Sequence, residues 1–106
     1  MTKAVIPALL LFATAVGPAS ATFVTGNDLL RECKSQVRLL ALGYTAGVVD
    51  LMESFRTNMI CIPKEATVGQ LTDVICQYIE QKPGLRHENA DYLALSALGD
   101  TFPCKK

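Results

Sequence analysis

Four cysteines, a single histidine and an aspartate inside an apolar run are the residues of this 106-residue chain whose types could do chemistry. Cys33, Cys61, Cys76 and Cys104 stand 28, 15 and 28 positions apart. A thiol nucleophile needs a basic partner, usually histidine. His87 is the only histidine, and each cysteine has other cysteines to pair with. Zinc sites want cysteine or histidine pairs two to four apart, and a redox centre wants C-x-x-C; neither spacing occurs. There is no P-loop, no G-x-G-x-x-G and no G-x-S-x-G. Gly43-Tyr44-Thr45-Ala46-Gly47 reads as helix interior, where the N–H groups are already used, so it is not a phosphate loop. The expectation is two disulfides, no metal, no cofactor and no catalytic residue. The two 28-residue spacings do not align otherwise, so no repeat is assigned.

The elements that carry these residues begin with a leader. Lys3 is a positive n-region, Ala4 to Val16 an apolar stretch, and Ala19-Ser20-Ala21 a small-residue cleavage site. Residues 1–21 therefore read as a signal peptide and residues 22–106 as one mature domain. The apolar stretch is shorter than the roughly 20 residues a membrane-spanning helix needs, and no cysteine sits at the cut to take a lipid. All four cysteines follow the cut, which points to an oxidising compartment, the bacterial periplasm, with no membrane attachment after cleavage. Removing Lys3 leaves nine basic against ten acidic residues, a formal charge of −1. No basic patch suggests nucleic acid. A domain this small buries a limited core, and two disulfides closing long loops would each add about 3 to 5 kcal/mol.

The pattern predicts an all-α, four-helix domain. Thr25 with Asp28 three residues on reads as a capping box opening the first helix. A long second helix is expected from Gln36 to Phe55, its stripe made of Leu39, Leu40, Gly43, Ala46, Gly47, Val49, Asp50 and Met52. Met59-Ile60-Cys61-Ile62-Pro63 is an extended connector. Thr67 and Gln70 repeat the capping-box logic ahead of a third helix with Val68, Leu71, Ile75 and Ile79 inward. Pro83-Gly84 stops that helix. A fourth helix, Glu88 to Leu98, turns Ala90, Leu93, Ala94, Ala97 and Leu98 inward. Thr101 to Cys104 is a tail held back by its cysteine. No strand-like alternation is sustained.

Within these elements, Gly43 and Gly47 lie four apart on one helical face. Each costs about 1 kcal/mol there, which suggests close helix packing or a ligand approaching the backbone. Asp50, if inward, needs partners. The connector Cys61-Ile62-Pro63 or Arg86 could supply them. His87 should be exposed before the fourth helix, where a pH-sensing role is open. The charges Glu80, Lys82, Arg86, Glu88 and Asp91 read as a solvated face.

Taken in order, Asn27-Asp28-Leu29-Leu30…Cys33, Gly43-Tyr44-x-x-Gly47-x-x-Asp50, Cys61-Ile62-Pro63, Gln70-Leu71, Pro83…Arg86-His87…Ala90 and Ala97-Leu98…Phe102-Pro103-Cys104 resemble the Rap/Tai family of type VI secretion amidase immunity proteins. The resemblance covers nearly the whole mature chain. It implies a small, exported, disulfide-bonded helical inhibitor that binds a peptidoglycan amidase effector and blocks its cleft. It also implies a homodimer, since members are often dimers. Gly43, Tyr44, Gly47, Asp50 and Pro63 would then be structural. Family members commonly carry a cysteine two residues before the Gly-Tyr pair, where this chain has Ala41. On that departure, Cys61–Cys76 and Cys33–Cys104 are the pairs expected among the three pairings. Contact with the effector is expected from the Asn58–Thr67 loop (Lys64, Glu65) and the Gln81–Glu88 corner (Lys82, Arg86, His87). The competing readings are an acid-activated periplasmic chaperone, which predicts opening and promiscuous binding at low pH, and another small exported binding protein.

Overall fold

The computed structural model describes residues 23–55 and 58–105. The expected signal peptide lies outside them. Four α-helices follow one another: α1 (Gly26–Cys33), α2 (Leu39–Phe55), α3 (Val68–Gln81) and α4 (Ala90–Thr101), with a 3-10 turn at Pro83–Leu85. Among the described residues there is no strand, only the isolated bridges Thr25–Asn89 and Ile60–Pro103. The all-α, four-helix expectation holds.

Local chemistry sets where α1 and α3 begin. At α1, Asp28 N donates to Thr25 Oγ1 at 3.2 Å, and Thr25 N donates to Asp28 Oδ2 at 3.0 Å. At α3, Gln70 N donates to Thr67 Oγ1 and Thr67 N to Gln70 Oε1. Both are reciprocal capping boxes that satisfy orphan N–H groups. α2 starts at Leu39 rather than at Gln36 because Arg38 sits at φ +57°. That left-handed residue interrupts any continuous right-handed helix. Its guanidinium reaches Asp73 on α3 at 2.9 Å.

The Asp28 cap carries a pH signature. Its hydrogen bond from Arg31, then those from Thr25, hold its carboxyl down to about 2 from an ordinary 3.8. A carboxylate lowered on folding adds stability above its unfolded value, and that stability is lost as pH falls through the folded value. The melting temperature should therefore fall between pH 4 and pH 2 by more in the wild type than in Asp28→Asn. Parallel melting curves for the two proteins across that range check this.

α3 is the hub and packs against α1, α2 and α4. Leu71, Ile75 and Ile79 recur every four residues on its buried side. Against them α4 sets Ala90, Leu93, Ala94, Ala97 and Leu98, each at most 1% exposed. α1 adds Leu29 and Leu30. Val68, expected inward, sits at the first turn and is 42% exposed.

α2 keeps only part of its expected stripe: Met52 is buried and Val49 half-buried, but the rest of the inward face is different. Its buried residues are Ala41, Thr45 and Met52, with Tyr44, Val48 and Val49 half-buried against the core. Leu39, Leu40, Gly43, Gly47 and Asp50 face solvent. Thr45 is tolerated inside because its hydroxyl donates to Ala41 O at 3.0 Å. Thr72 Oγ1 of α3 lies 2.9 Å from Thr45 Oγ1 and 2.7 Å from Val68 O. This buried hydroxyl pair joins α2 to α3.

The disulfides are Cys33–Cys76 and Cys61–Cys104, with Cα separations of 5.9 and 4.9 Å. This corrects the expected pairing of Cys61 with Cys76 and Cys33 with Cys104. The reason is tertiary. α1 lies along α3, so its last residue, Cys33, meets Cys76 on α3. The tail after α4 returns to the connector, where Cys61 N donates to Phe102 O at 2.8 Å, and Cys104 is then beside Cys61.

Candidate functional site

From Ile60 to Thr67, the connector forms a loop fixed at both ends. The Cys61–Cys104 disulfide, the Ile60–Pro103 bridge and the Cys61–Phe102 hydrogen bond hold one end. The Thr67 capping box holds the other. Within the loop, Ala66 N donates to Pro63 O at 3.1 Å, closing a turn. Pro63, Lys64 and Glu65 project from this turn and are exposed. Pro63, Glu65, Ala66, Gln70 and Phe102 surround a small open hollow of about 360 Å³. A clamped loop of this kind can meet a partner with little ordering cost.

The other charged group expected at an interface sits elsewhere. Lys82, Arg86 and His87 lie past the C-terminus of α3, whereas Lys64 and Glu65 precede its N-terminus. Fourteen helical residues separate the two groups, roughly 21 Å at 1.5 Å per residue. They are not one patch. Arg86 is committed to the fold: its Nε donates to Ile79 O at 3.2 Å and its Nη2 to Glu80 O at 2.7 Å, where they close the end of α3. Its backbone oxygen accepts from Asn27 N. Lys82 lies over the Tyr78 ring, 5.4 Å from the centroid. His87 is exposed in the turn before α4.

Gly43, Gly47 and Asp50 also depart from expectation. A Cβ at either glycine would meet nothing within 4 Å, so within the chain they pack against no helix. Asp50 is exposed. Neither suggested partner engages it: Arg86 pairs with Glu80, and Asp50's backbone oxygen takes the Ser54 hydroxyl. The physical reason is that α2 is apolar on nearly every side, so solvent can occupy a face that the residues alone would bury.

Beside that face lies a feature the sequence did not reveal. An open groove of about 770 Å³ runs between α2 and α4, walled chiefly by Val48, Leu51, Phe55, Tyr92 and Leu95. Asp91 and Asp100 also line it. Tyr44, half-buried nearby, has its phenol pushed upward by burial and then by the Asp91 charge. Several walls are large apolar side chains that stay exposed: Leu51 at 60%, Phe55 at 76% and Tyr92 at 57%. The signal for it was present in the excess of apolar residues on α2, but no periodicity marked which of them stay outside.

All four cysteines are in disulfides, so none offers a thiol. Among the described residues no group of three or more His, Cys, Asp or Glu side chains could hold a metal ion, and no described helix is long and apolar enough to cross a membrane. What the geometry offers is a surface for a partner: a clamped charged loop and an apolar groove.

Comparison with known proteins agrees with that. The family model of the Rap1a immunity proteins matches residues 25–104, from the Thr25 cap to the last disulfide cysteine. Neither the curated proteins nor the solved structures give a match.

Proposed function

The chain belongs to the Rap1a immunity proteins, and from that premise we propose that it is a non-catalytic inhibitor of a type VI secretion amidase effector. It binds a peptidoglycan amidase and occludes its cleft, and it does so in the periplasm after loss of its leader. The observation that carries this reading is the family match across both disulfides and all four helices. The mechanism uses no reactive group and no cofactor. A stapled body presents the Pro63-Lys64-Glu65 turn, whose ends are fixed by Cys61–Cys104 and by the Thr67 cap. Because the turn is already ordered, docking loses little conformational entropy.

A pull-down tests the partner. Oxidised protein at neutral pH should recover a peptidoglycan amidase near one-to-one from material secreted by the producing bacterium, and the amidase should be inactive in the complex. Recovery of no amidase from an effector-expressing culture overturns the reading. A mixed set of proteins caught only at low pH would instead favour the chaperone.

The loop carries its own prediction. Reversing both charges, Lys64→Glu with Glu65→Lys, should weaken amidase binding by about tenfold or more, the loss typical of an interface hot spot. Lys82→Glu and His87→Ala, at the far end of α3, should leave the affinity within about threefold, the small effect typical of residues outside a hot spot. Titration of amidase activity with each variant reads both.

A further inference from the structure

The two disulfides span the same separation along the chain, 43 residues each, but the fold does not hold them equally. Cys33 ends α1 and Cys76 lies on the hub helix, and both are half-buried. α1 is docked there by more than the crosslink. Leu29 and Leu30 are buried in the core, Gly26 N donates to Glu88 O, and Asn27 N donates to Arg86 O. Two sulfurs kept adjacent by a packed body re-pair readily once parted, because their effective concentration is high. Cys61–Cys104 has less behind it. The connector and the tail meet through one backbone hydrogen bond, Cys61 N to Phe102 O, and the isolated Ile60–Pro103 bridge. Ile60 and Phe102 rest against the core, but Cys61 and Pro103 beyond them are exposed. We propose that Cys61–Cys104 is a thiol–disulfide switch. A dithiol reductant opens it while Cys33–Cys76 and the four helices persist, and opening frees the Pro63-Lys64-Glu65 turn.

Exposed disulfides are the labile ones. A thiolate of the dithiol attacks Cys61 Sγ from solvent, the S–S bond breaks, and Cys104 leaves as a thiolate. The second sulfur of the dithiol then attacks the mixed disulfide and displaces Cys61. Two electrons pass to the protein, the reductant ends as a disulfide, and the two cysteine thiolates take up protons. Charge favours the first step, since a neighbouring cation stabilises a thiolate. Lys105 follows Cys104 and Lys64 stands three residues from Cys61; among the described residues neither is in an ion pair. Beside Cys33, Lys34 is engaged by Glu80 at 3.5 Å, and Glu32 stands on the other side. Once Cys61–Cys104 opens, the Thr67 cap still holds the far end of the loop, and the Pro63–Ala66 turn is tethered on one side only. A chain with free thiols at Cys61 and Cys104 is therefore folded but does not inhibit, and it becomes an inhibitor where a disulfide oxidant closes the bridge. That consequence rests on the proposed function; the order of opening does not.

The oxidised protein is titrated with dithiothreitol at neutral pH, its free thiols are capped with iodoacetamide, and peptide masses identify them. Cys61 and Cys104 should be capped at concentrations that leave Cys33–Cys76 intact and the circular dichroism unchanged. Hydrogen exchange of this half-reduced protein should show lost protection at Cys61 N and Ala66 N, with α3 and α4 unaffected. Opening of Cys33–Cys76 first, or of both disulfides together, overturns the proposal. So does a half-reduced protein whose 61–66 segment exchanges as slowly as before. Freed of reagent, uncapped half-reduced protein should inhibit the amidase about tenfold or more weakly, the loss typical of an interface hot spot, and oxidised glutathione should restore it. Undiminished inhibition overturns the gating. Oxidised protein that inhibits no amidase refutes the immunity reading instead, and the capping and exchange results then decide the switch alone.

Discussion

Replacing both Cys33 and Cys76 with alanine should cost the domain about 4 kcal/mol, the chain-entropy value for a crosslink spanning 43 residues. A domain of this size is stable by only about 5 to 15 kcal/mol, so the loss removes a large part of that margin. The melting temperature should drop by about 15 to 30 °C, using 4 to 8 °C per kcal/mol. The same separation of 43 residues lies between Cys61 and Cys104, so chain entropy alone predicts an equal loss for Cys61→Ala with Cys104→Ala. The two crosslinks differ in what they hold in the native state. Cys33–Cys76 joins α1 to the hub helix. Cys61–Cys104 joins the connector to the tail, outside the packed helices. Removing the second should also release the Pro63-Lys64-Glu65 turn and, on the proposed function, weaken binding of the amidase beyond what stability explains. Urea unfolding of both double variants, with the denaturant slope as a check on two-state behaviour, measures the stability loss. A loss well under about 2 kcal/mol in Cys33→Ala with Cys76→Ala would mean that docking of α1 on α3 does not need the covalent link, since crosslinks of this kind usually contribute 2–4 kcal/mol.

How far residues alone reveal this molecule depends on the range of the interaction. Thr25 with Asp28 and Thr67 with Gln70 could be read directly, because a capping box is closed within four residues. The α4 set from Ala90 to Leu98 was legible too, since its inward positions follow the helical period, although Tyr92 and Leu95 stay exposed beside them. On α2 the period does not choose a face. Leucine, valine, glycine and alanine surround it, and only its docking on α3 decides that Ala41, Thr45 and Met52 go in while Leu40 and Leu51 stay out. The assignment of Gly43, Gly47 and Asp50 to a packed face failed for that reason. The disulfide pairing failed for a related one. The Ala41 departure from the family pattern suggested Cys61 with Cys76, but Cys76 lies on the side of α3 that receives α1. Arg86 was legible as a charge and not as a cap, because its acceptors, Ile79 O and Glu80 O, are exposed to it only once α3 ends and the chain turns back.

Gly26→Ala is the single substitution with the largest expected effect, and its sign is the informative part. Glycine to alanine at a helical position ordinarily stabilises, by about 0.4–1 kcal/mol. Gly26 opens α1 with no positive φ to explain the glycine, so the explanation must be space. It is buried, and its N–H donates to Glu88 O at 2.9 Å. A Cβ there would stand 2.5 Å from Leu93 Cδ1, 2.9 Å from Arg86 O and 3.1 Å from Arg86 Cα. Leu93 is fully buried and has little room to yield. The other two atoms are backbone, held in place by Asn27 N donating to Arg86 O and by Ala90 N donating to Val24 O. The methyl group can enter only by lifting the start of α1 away from the turn before α4. Such overpacking costs about 1–3 kcal/mol, and loss of the docking hydrogen bonds places this site at the upper end. Gly43→Ala makes the control. Nothing lies within 4 Å of its Cβ, so it should gain up to about 1 kcal/mol from helix propensity alone. Thermal melts of the two variants should therefore move in opposite directions from the wild type. A Gly26→Ala protein that melts at or above the wild type would show that α1 can shift without loss, and that its backbone docking on the 86–90 turn does not hold the N-terminal end of the domain.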